Sequence, residues 1–234
     1  MTVPVDFQAF ASRAAASRAT ADMLAAGLAS ALGESPQAGA SLVVSGGSTP
    51  GPCFAHLSTR PLDWPRVSVV PSDERWVPAQ DPASNEGLIR RQLLKGQASQ
   101  ARILSFFREG IGAEQAPKLI EQDLSTLPRP FSASLLGMGE DGHFASLFPD
   151  FTGLPEALDP QGAAKCITVQ TAGSPHVRIS LTLSALLDSA AIVLLVFGAS
   201  KRRVLESAHV SGSGYPVEAL LRHARCPLSV MWAP

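Results

Sequence analysis

The sequence predicts an α/β fold: one doubly wound, mostly parallel sheet with helices on both faces, Rossmann-like in plan. Two observations predict it. Short apolar runs, often β-branched, alternate with helical stretches along the chain, as strands buried on both faces of a parallel sheet do. Several of these runs end in glycine-rich or charged turns, at the strand ends where open α/β sheets bind ligands. Composition agrees. Of 234 residues 45% are hydrophobic and 17% charged, enough for a sizeable core and against disorder.

Taken in order, the alanine-rich stretch to Leu32 is helical by propensity. Arg13 and Arg18 interrupt it, so it is no signal peptide. Residues 41–44, 67–70, 103–106, 133–136, 166–169 and 192–197 read as strands of the sheet. Residues 50–57, 85–94, 113–124 and 200–208 read as helices between them. Residues 177–181 and 228–231 read as added edge strands, and 149–162 as a long Pro/Gly-rich loop. With no repeat, charge block or low-complexity linker, a single domain over 1–234 is expected.

Several function classes fall away. A net charge of -1 argues against a nucleic-acid partner that relies on a broad basic field, so any anion site is local. Cys53, Cys166 and Cys226 are odd in number and form no CxxC pair, which suits reduced thiols in a cytoplasmic protein and not a disulfide framework or a zinc site. The apolar run 190–197 is too short to cross a bilayer, so no membrane partner is expected.

Four motifs follow strand ends. Gly137-Met138-Gly139-Glu140-Asp141-Gly142-His143 sets an acid and an imidazole two residues apart among three glycines. Glycine lets the backbone approach a ligand closely, and His143 can take and return a proton near neutral pH. Ser45-Gly46-Gly47-Ser48-Thr49-Pro50 precedes a helix that Pro50 can start. Its N–H and hydroxyl groups suit a phosphate, although the spacing is neither a nucleotide P-loop nor GxGxxG; an ordinary capped turn is the alternative. Asp73-Glu74-Arg75 is either a solvated charged turn or a site. In the second case Arg75 meets phosphate or carboxylate, and Asp73 meets a substrate hydroxyl or a catalytic group. In Gly198-Ala199-Ser200-Lys201 a lysine in a helix's first turn opposes the helix dipole unless an anion is near, which favours Lys201 over Arg202 and Arg203.

Together these pieces, in this order, resemble the 6-phosphogluconolactonase family, within a superfamily that includes the glucosamine-6-phosphate deaminases. The resemblance also rests on Trp76-Val77-Pro78, on Ser84-Asn85-Glu86-Gly87, on Phe144-Ala145-Ser146-Leu147-Phe148-Pro149 and on Arg178-Ile179-Ser180-Leu181-Thr182-Leu183. The Ser-Leu-Phe-Pro ending looks like the lactonase branch; the deaminase branch has Asn-Glu-Pro there. Phe144 departs from the threonine common at its position, and the chain stops soon after Trp232 without the usual Asp-x-Ala-Ala ending.

The resemblance implies hydrolysis of 6-phospho-D-glucono-1,5-lactone. His143 would activate water, and Asp141 would orient the imidazole or stabilise its charged form. Arg75 would meet the lactone end or the phosphate. Lys201, Arg178, Gly46, Gly47, Ser48 and Thr49 would hold the phosphate. No metal or other cofactor is expected, and the chain would be a monomer or small homo-oligomer. The alternatives are a glucosamine-6-phosphate deaminase/isomerase and a non-catalytic sugar-phosphate-binding domain.

Overall fold

The computed structural model describes residues 4–210 and 212–234. In chain order its elements are β1 (Val5–Ala9), α1 (Arg13–Gly33), β2 (Ala40–Val44), α2 (Gly51–Leu57), β3 (Val67–Pro71), β4 (Asp73–Arg75), α3 (Asn85–Gln92), β5 (Arg102–Ile103), α4 (Ala116–Leu124), β6 (Ala133–Leu136), α5 (Leu154–Ala157), β7 (Cys166–Val169), β8 (Arg178–Leu181), α6 (Leu183–Leu186), β9 (Ile192–Phe197), α7 (Ala199–Ala208), α8 (Pro216–His223) and β10 (Leu228–Ala233). Seven strands form an all-parallel sheet in the order β1-β10-β9-β6-β2-β3-β5. A second sheet, β4-β8-β7, is antiparallel.

The main sheet is buried on both faces, and the period of two shows which side chain goes where. Leu42, Val44, Leu135, Val193 and Leu195 pack beneath α1 and α2 with Leu24, Leu28, Phe54 and Leu57. Val43, Leu136, Leu194 and Val196 face the other way, towards Ile120, Phe144, Ile179, Leu205 and Leu220. Each Leu so buried contributes about 1.5–3 kcal/mol relative to exposure. Leu24, Leu28 and Leu32 recur every four residues, giving α1 its core-facing stripe. All three cysteines are buried and free; burial pushes the Cys53 thiol up to about 12. Among the described residues no helix is long and apolar enough to cross a membrane.

The structure corrects several boundaries. Residues 166–169 are not in the parallel sheet. They pair antiparallel with β8, because the short link between β7 and β8 carries no crossover helix and a parallel return needs one. Residues 177–181, expected at an edge, contribute the central strand of the small sheet. Residues 228–231 lie inside the main sheet, because β1 covers β10. β5 ends at Ile103, well before Phe106. Asp73-Glu74-Arg75 is a strand where a turn was expected. Neither β1 nor α8 was expected.

β4 leaves the main sheet one residue after β3, and its Glu74 is fully buried. The carboxylate accepts the N–H groups of Arg75 and Asn85 at 2.7 and 2.7 Å, that of Glu86 at 2.6 Å, and the Ser84 hydroxyl at 2.9 Å. It thereby caps α3 and stands in for the missing intrahelical acceptors. Burial pushes the carboxyl above its ordinary range, and these four donors pull against that shift. Glu74→Gln keeps the shape but turns an amide N–H towards backbone donors. We expect it to lower unfolding stability by about 2 kcal/mol or more, read as a lower urea midpoint. An unchanged midpoint would show that the carboxylate is not needed there.

Candidate active site

The expected site residues come together in one cleft of about 260 Å³ at the C-terminal ends of β2 and β6, roofed by the small sheet. Gly46, Gly47, Ser48 and Thr49 line it from the turn after β2. Asp73 and Arg75 line it from β4, Gly137, Met138, Gly139, His143 and Ala145 from the segment after β6, Arg178 from β8, and Lys201 from α7. Asp141 stands behind His143. Asn85, quoted above only as part of a motif, also lines the cleft.

The 137–143 turn is shaped by its glycines. A side chain at Gly139 would run into the His143 imidazole and the Asp141 carboxylate. Gly142 has φ +76°, and a Cβ there would meet Tyr215 at 2.8 Å. The Gly139 N–H closes the turn on the His143 carbonyl at 2.9 Å. This folding answers what the two-residue spacing left open: Asp141 Oδ1 lies 2.6 Å from His143 Nδ1. An ionised carboxylate only accepts, so a neutral imidazole held by it carries its proton on Nδ1 and leaves the lone pair on Nε2. The opposite constraint comes from Phe148, whose ring packs on the imidazole at a centroid separation of 4.3 Å.

The basic groups are also fixed. Arg75 Nη1 donates to Asn85 Oδ1 at 2.7 Å and to the Ala83 carbonyl at 3.0 Å. Asn85 in turn donates from Nδ2 to the Asp73 carbonyl at 2.8 Å, and its amide fills the space where a Gly46 side chain would stand. Arg178 is directly opposite Arg75 across the β4–β8 pair. Burial lowers its pKa, and so does the Arg75 charge, while Asp73 and Glu74 oppose the shift. Two guanidiniums held this way attract an anion. Lys201 lines the same cleft and forms no ion pair among the described residues. Its helix is tied to the turn by a 2.8 Å bond from Ser200 Oγ to Glu140 Oε1.

Asp73 reaches the cleft, but its carboxylate is committed within the protein. Oδ1 accepts from Ser72 Oγ at 2.9 Å and Oδ2 from Ser146 Oγ at 2.6 Å, with Arg178 Nη1 at 3.8 Å. Sequence reasoning passed over Asn85, Ser146 and Phe148 as site residues. For Asn85 the available signal was the Ser84-Asn85-Glu86-Gly87 motif, which places it at a helix's first position. Ser146 and Phe148 stand in the Ser-Leu-Phe-Pro ending quoted above, but that motif assigns them no contacts; Ser146 meets Asp73, and Phe148 meets His143 and Arg178.

Fold and cleft define a class: a doubly wound α/β protein with a His–Asp pair and an anion-binding group of arginines and lysine at its strand ends. Residues 11–232 match the family described as glucosamine-6-phosphate isomerases/6-phosphogluconolactonase, and the chain belongs to that family. A 6-phosphogluconolactonase of Pseudomonas aeruginosa is 40% identical over 232 residues, covering 98% of this chain and 95% of the relative. One of Rhizobium meliloti is 40% identical over 227 residues, covering 96% and 97%. The crystal structure of a 6-phosphogluconolactonase from Shewanella baltica superposes with a TM-score of 0.92 at 37% identity, covering 100% of both chains. A monomeric glucosamine-6-phosphate deaminase of the NagB superfamily shares the fold at a TM-score of 0.75 and 20% identity, covering 97% of each chain.

Tyr215, which abuts Gly142, is delivered by a segment gathered around Glu218. That carboxylate accepts the Gly212 and Ser213 N–H groups at 2.9 and 2.8 Å and the Ser213 hydroxyl at 2.7 Å. The Gly212 N–H and then the Ser213 hydroxyl hold its pKa down from 4.5 to about 2. A depressed folded value gives stability that is present above about 4.5 and is lost as the pH falls towards 2. The thermal midpoint should therefore fall more steeply across this window in the parent protein than in Glu218→Gln. Equal slopes would mean that Glu218 does not organise the segment.

Proposed function

We propose that this chain hydrolyses 6-phospho-D-glucono-1,5-lactone to 6-phospho-D-gluconate, the second step of the oxidative pentose phosphate pathway. The observation that carries the reading is the His143–Asp141 pair, 2.6 Å apart, in a cleft that also holds Arg75, Arg178 and Lys201. Membership of the family and the lactonase relatives support it.

His143 Nε2 takes a proton from water, and the oxygen attacks C1 of the lactone. The carbonyl π electrons move onto oxygen, and a guanidinium in the cleft stabilises the charge that develops. When the carbonyl re-forms, the C1–O5 bond breaks and the imidazolium returns its proton to O5. Water has then supplied OH to C1 and H to O5, and the base is restored. Asp141 holds Nδ1–H and stabilises the imidazolium through the charge-bearing steps. Lys201 and Arg178, with the N–H and hydroxyl groups of Gly46 to Thr49, hold the phosphate. Arg75, held by Asn85, serves the lactone end. Asp73 acts through Ser146 and Arg178, as a positioning group. The route needs no metal.

His143→Ala should lower turnover by about 10²–10⁴-fold, with 6-phosphogluconate binding retained. Turnover is taken after subtraction of the lactone's spontaneous hydrolysis. A folded variant with near-native turnover would sink the base assignment. Lys201→Ala should raise KM for the phosphorylated lactone and leave activity on unphosphorylated gluconolactone nearly unchanged. Equal loss on both substrates would move Lys201 away from the phosphate. Release of ammonia from glucosamine 6-phosphate would overturn the lactonase reading itself.

A further inference from the structure

One side chain touches both halves of the cleft without lining it. The Phe148 ring packs on the His143 imidazole at 4.3 Å between centroids, the planes tilted by 42°. The Arg178 guanidinium lies over the same ring, 5.1 Å from its centroid. His143 belongs to the segment that follows β6 of the main sheet, and Arg178 to β8 of the small sheet. Phe148 therefore spans the gap between the two sheets behind the cleft.

The backbone is bent to put it there. Ala145 has φ +50°, the one described non-glycine residue with positive φ. That conformation costs an L-residue about a kcal/mol or more unless the surroundings hold it. Two bonds hold it. Ser146 Oγ donates to Asp73 at 2.6 Å, and the Ser146 N–H donates to Ser180 Oγ at 3.2 Å. With the chain turned back at 145 and fixed at 146, the Phe148 ring folds over His143.

We propose that Phe148 is a positioning residue for the hydrolysis, and the inference rests on the lactonase reading above. Asp141 fixes one edge of the imidazole and Phe148 covers one face, so the ring cannot turn and Nε2 stays directed away from Asp141. The same ring holds the Arg178 guanidinium by a cation–π contact. Phe148 thus sets base and cation at a fixed separation, which is what near-attack geometry demands. Phe148 itself does not line the cleft.

Phe148→Leu keeps apolar bulk and removes the ring; Phe148→Tyr keeps the ring. In Phe148→Leu we expect kcat to fall and KM for the phosphorylated lactone to rise, together reducing kcat/KM roughly tenfold, while Phe148→Tyr stays within about twofold of the parent. A second measurement is independent of the lactone. In the ligand-free protein the ring current of Phe148 should displace the His143 Cε1–H and Cδ2–H resonances, and Phe148→Leu should remove the displacement. Parent-like kcat/KM in Phe148→Leu, equal losses in both variants, or His143 resonances that do not move would each overturn the proposal. A parent protein with no turnover above spontaneous hydrolysis would instead overturn the lactonase reading, and the resonances would still report whether the ring holds His143.

Discussion

The buried carboxylate of Glu74 is the constraint around which the cleft is assembled. Three of its four hydrogen bonds join β4 to the N-terminal end of α3, and the fourth, from the Arg75 N–H, lies within β4. They place Asn85, and Asn85 places Arg75 and lies against Gly46. One desolvated acid thus fixes the relation between the turn after β2 and the small sheet. A buried acid is costly unless fully bonded, and every donor here is backbone or a short hydroxyl, so the geometry has little freedom. A longer or more mobile donor set would satisfy the charge equally well and fix nothing.

The turn that carries His143 obeys a different rule. Its conformation depends on side chains being absent at Gly139 and Gly142, so the imidazole, the Asp141 carboxylate and Tyr215 can occupy the space. Glycine is costly in the unfolded chain because it has more freedom to lose. Here that cost is offset by closures on every side: the Gly139–His143 bond, the Glu140–Ser200 bond and the Val217 N–H on the Gly142 carbonyl at 3.0 Å. The base is positioned by a rigid turn although it belongs to no helix or strand.

Much of this was legible in the sequence. β2, β3, β6 and β9 announce themselves as short apolar runs, β-branched in all but β6, because both their faces are buried, and each is followed by residues of the cleft. β4 was not legible. Asp-Glu-Arg reads as solvated charge, and its strand character exists only through pairing with β8, far away in the chain. β1 alternates apolar and polar residues as an exposed edge does, a weak signal over so few positions. The contact of Asp141 with His143 was undecided for a specific reason. Spacing fixes reach only when the backbone is regular, and this turn takes its shape from positive φ at Gly142 and from packing that no local pattern encodes. Phe148 fails differently: the motif that holds it says nothing of its contacts, because the one with His143 follows a bend at Ala145 and the one with Arg178 reaches across the fold.

Ser72 sits at the seam between β3 and β4, fully buried. Its N–H donates to the Val44 carbonyl in the main sheet at 2.8 Å, and its carbonyl accepts the Leu181 N–H of the small sheet at 2.9 Å. A single peptide unit on either side of one Cα is therefore a rung in two different ladders. The small sheet cannot peel away by itself without loosening a rung of the large one, so the two belong to one cooperative opening unit. Amide protons of β8 at this seam would then exchange with solvent on the timescale set by the main sheet, not on the faster one usual for a small peripheral hairpin. The roof of the cleft inherits the kinetic persistence of its floor.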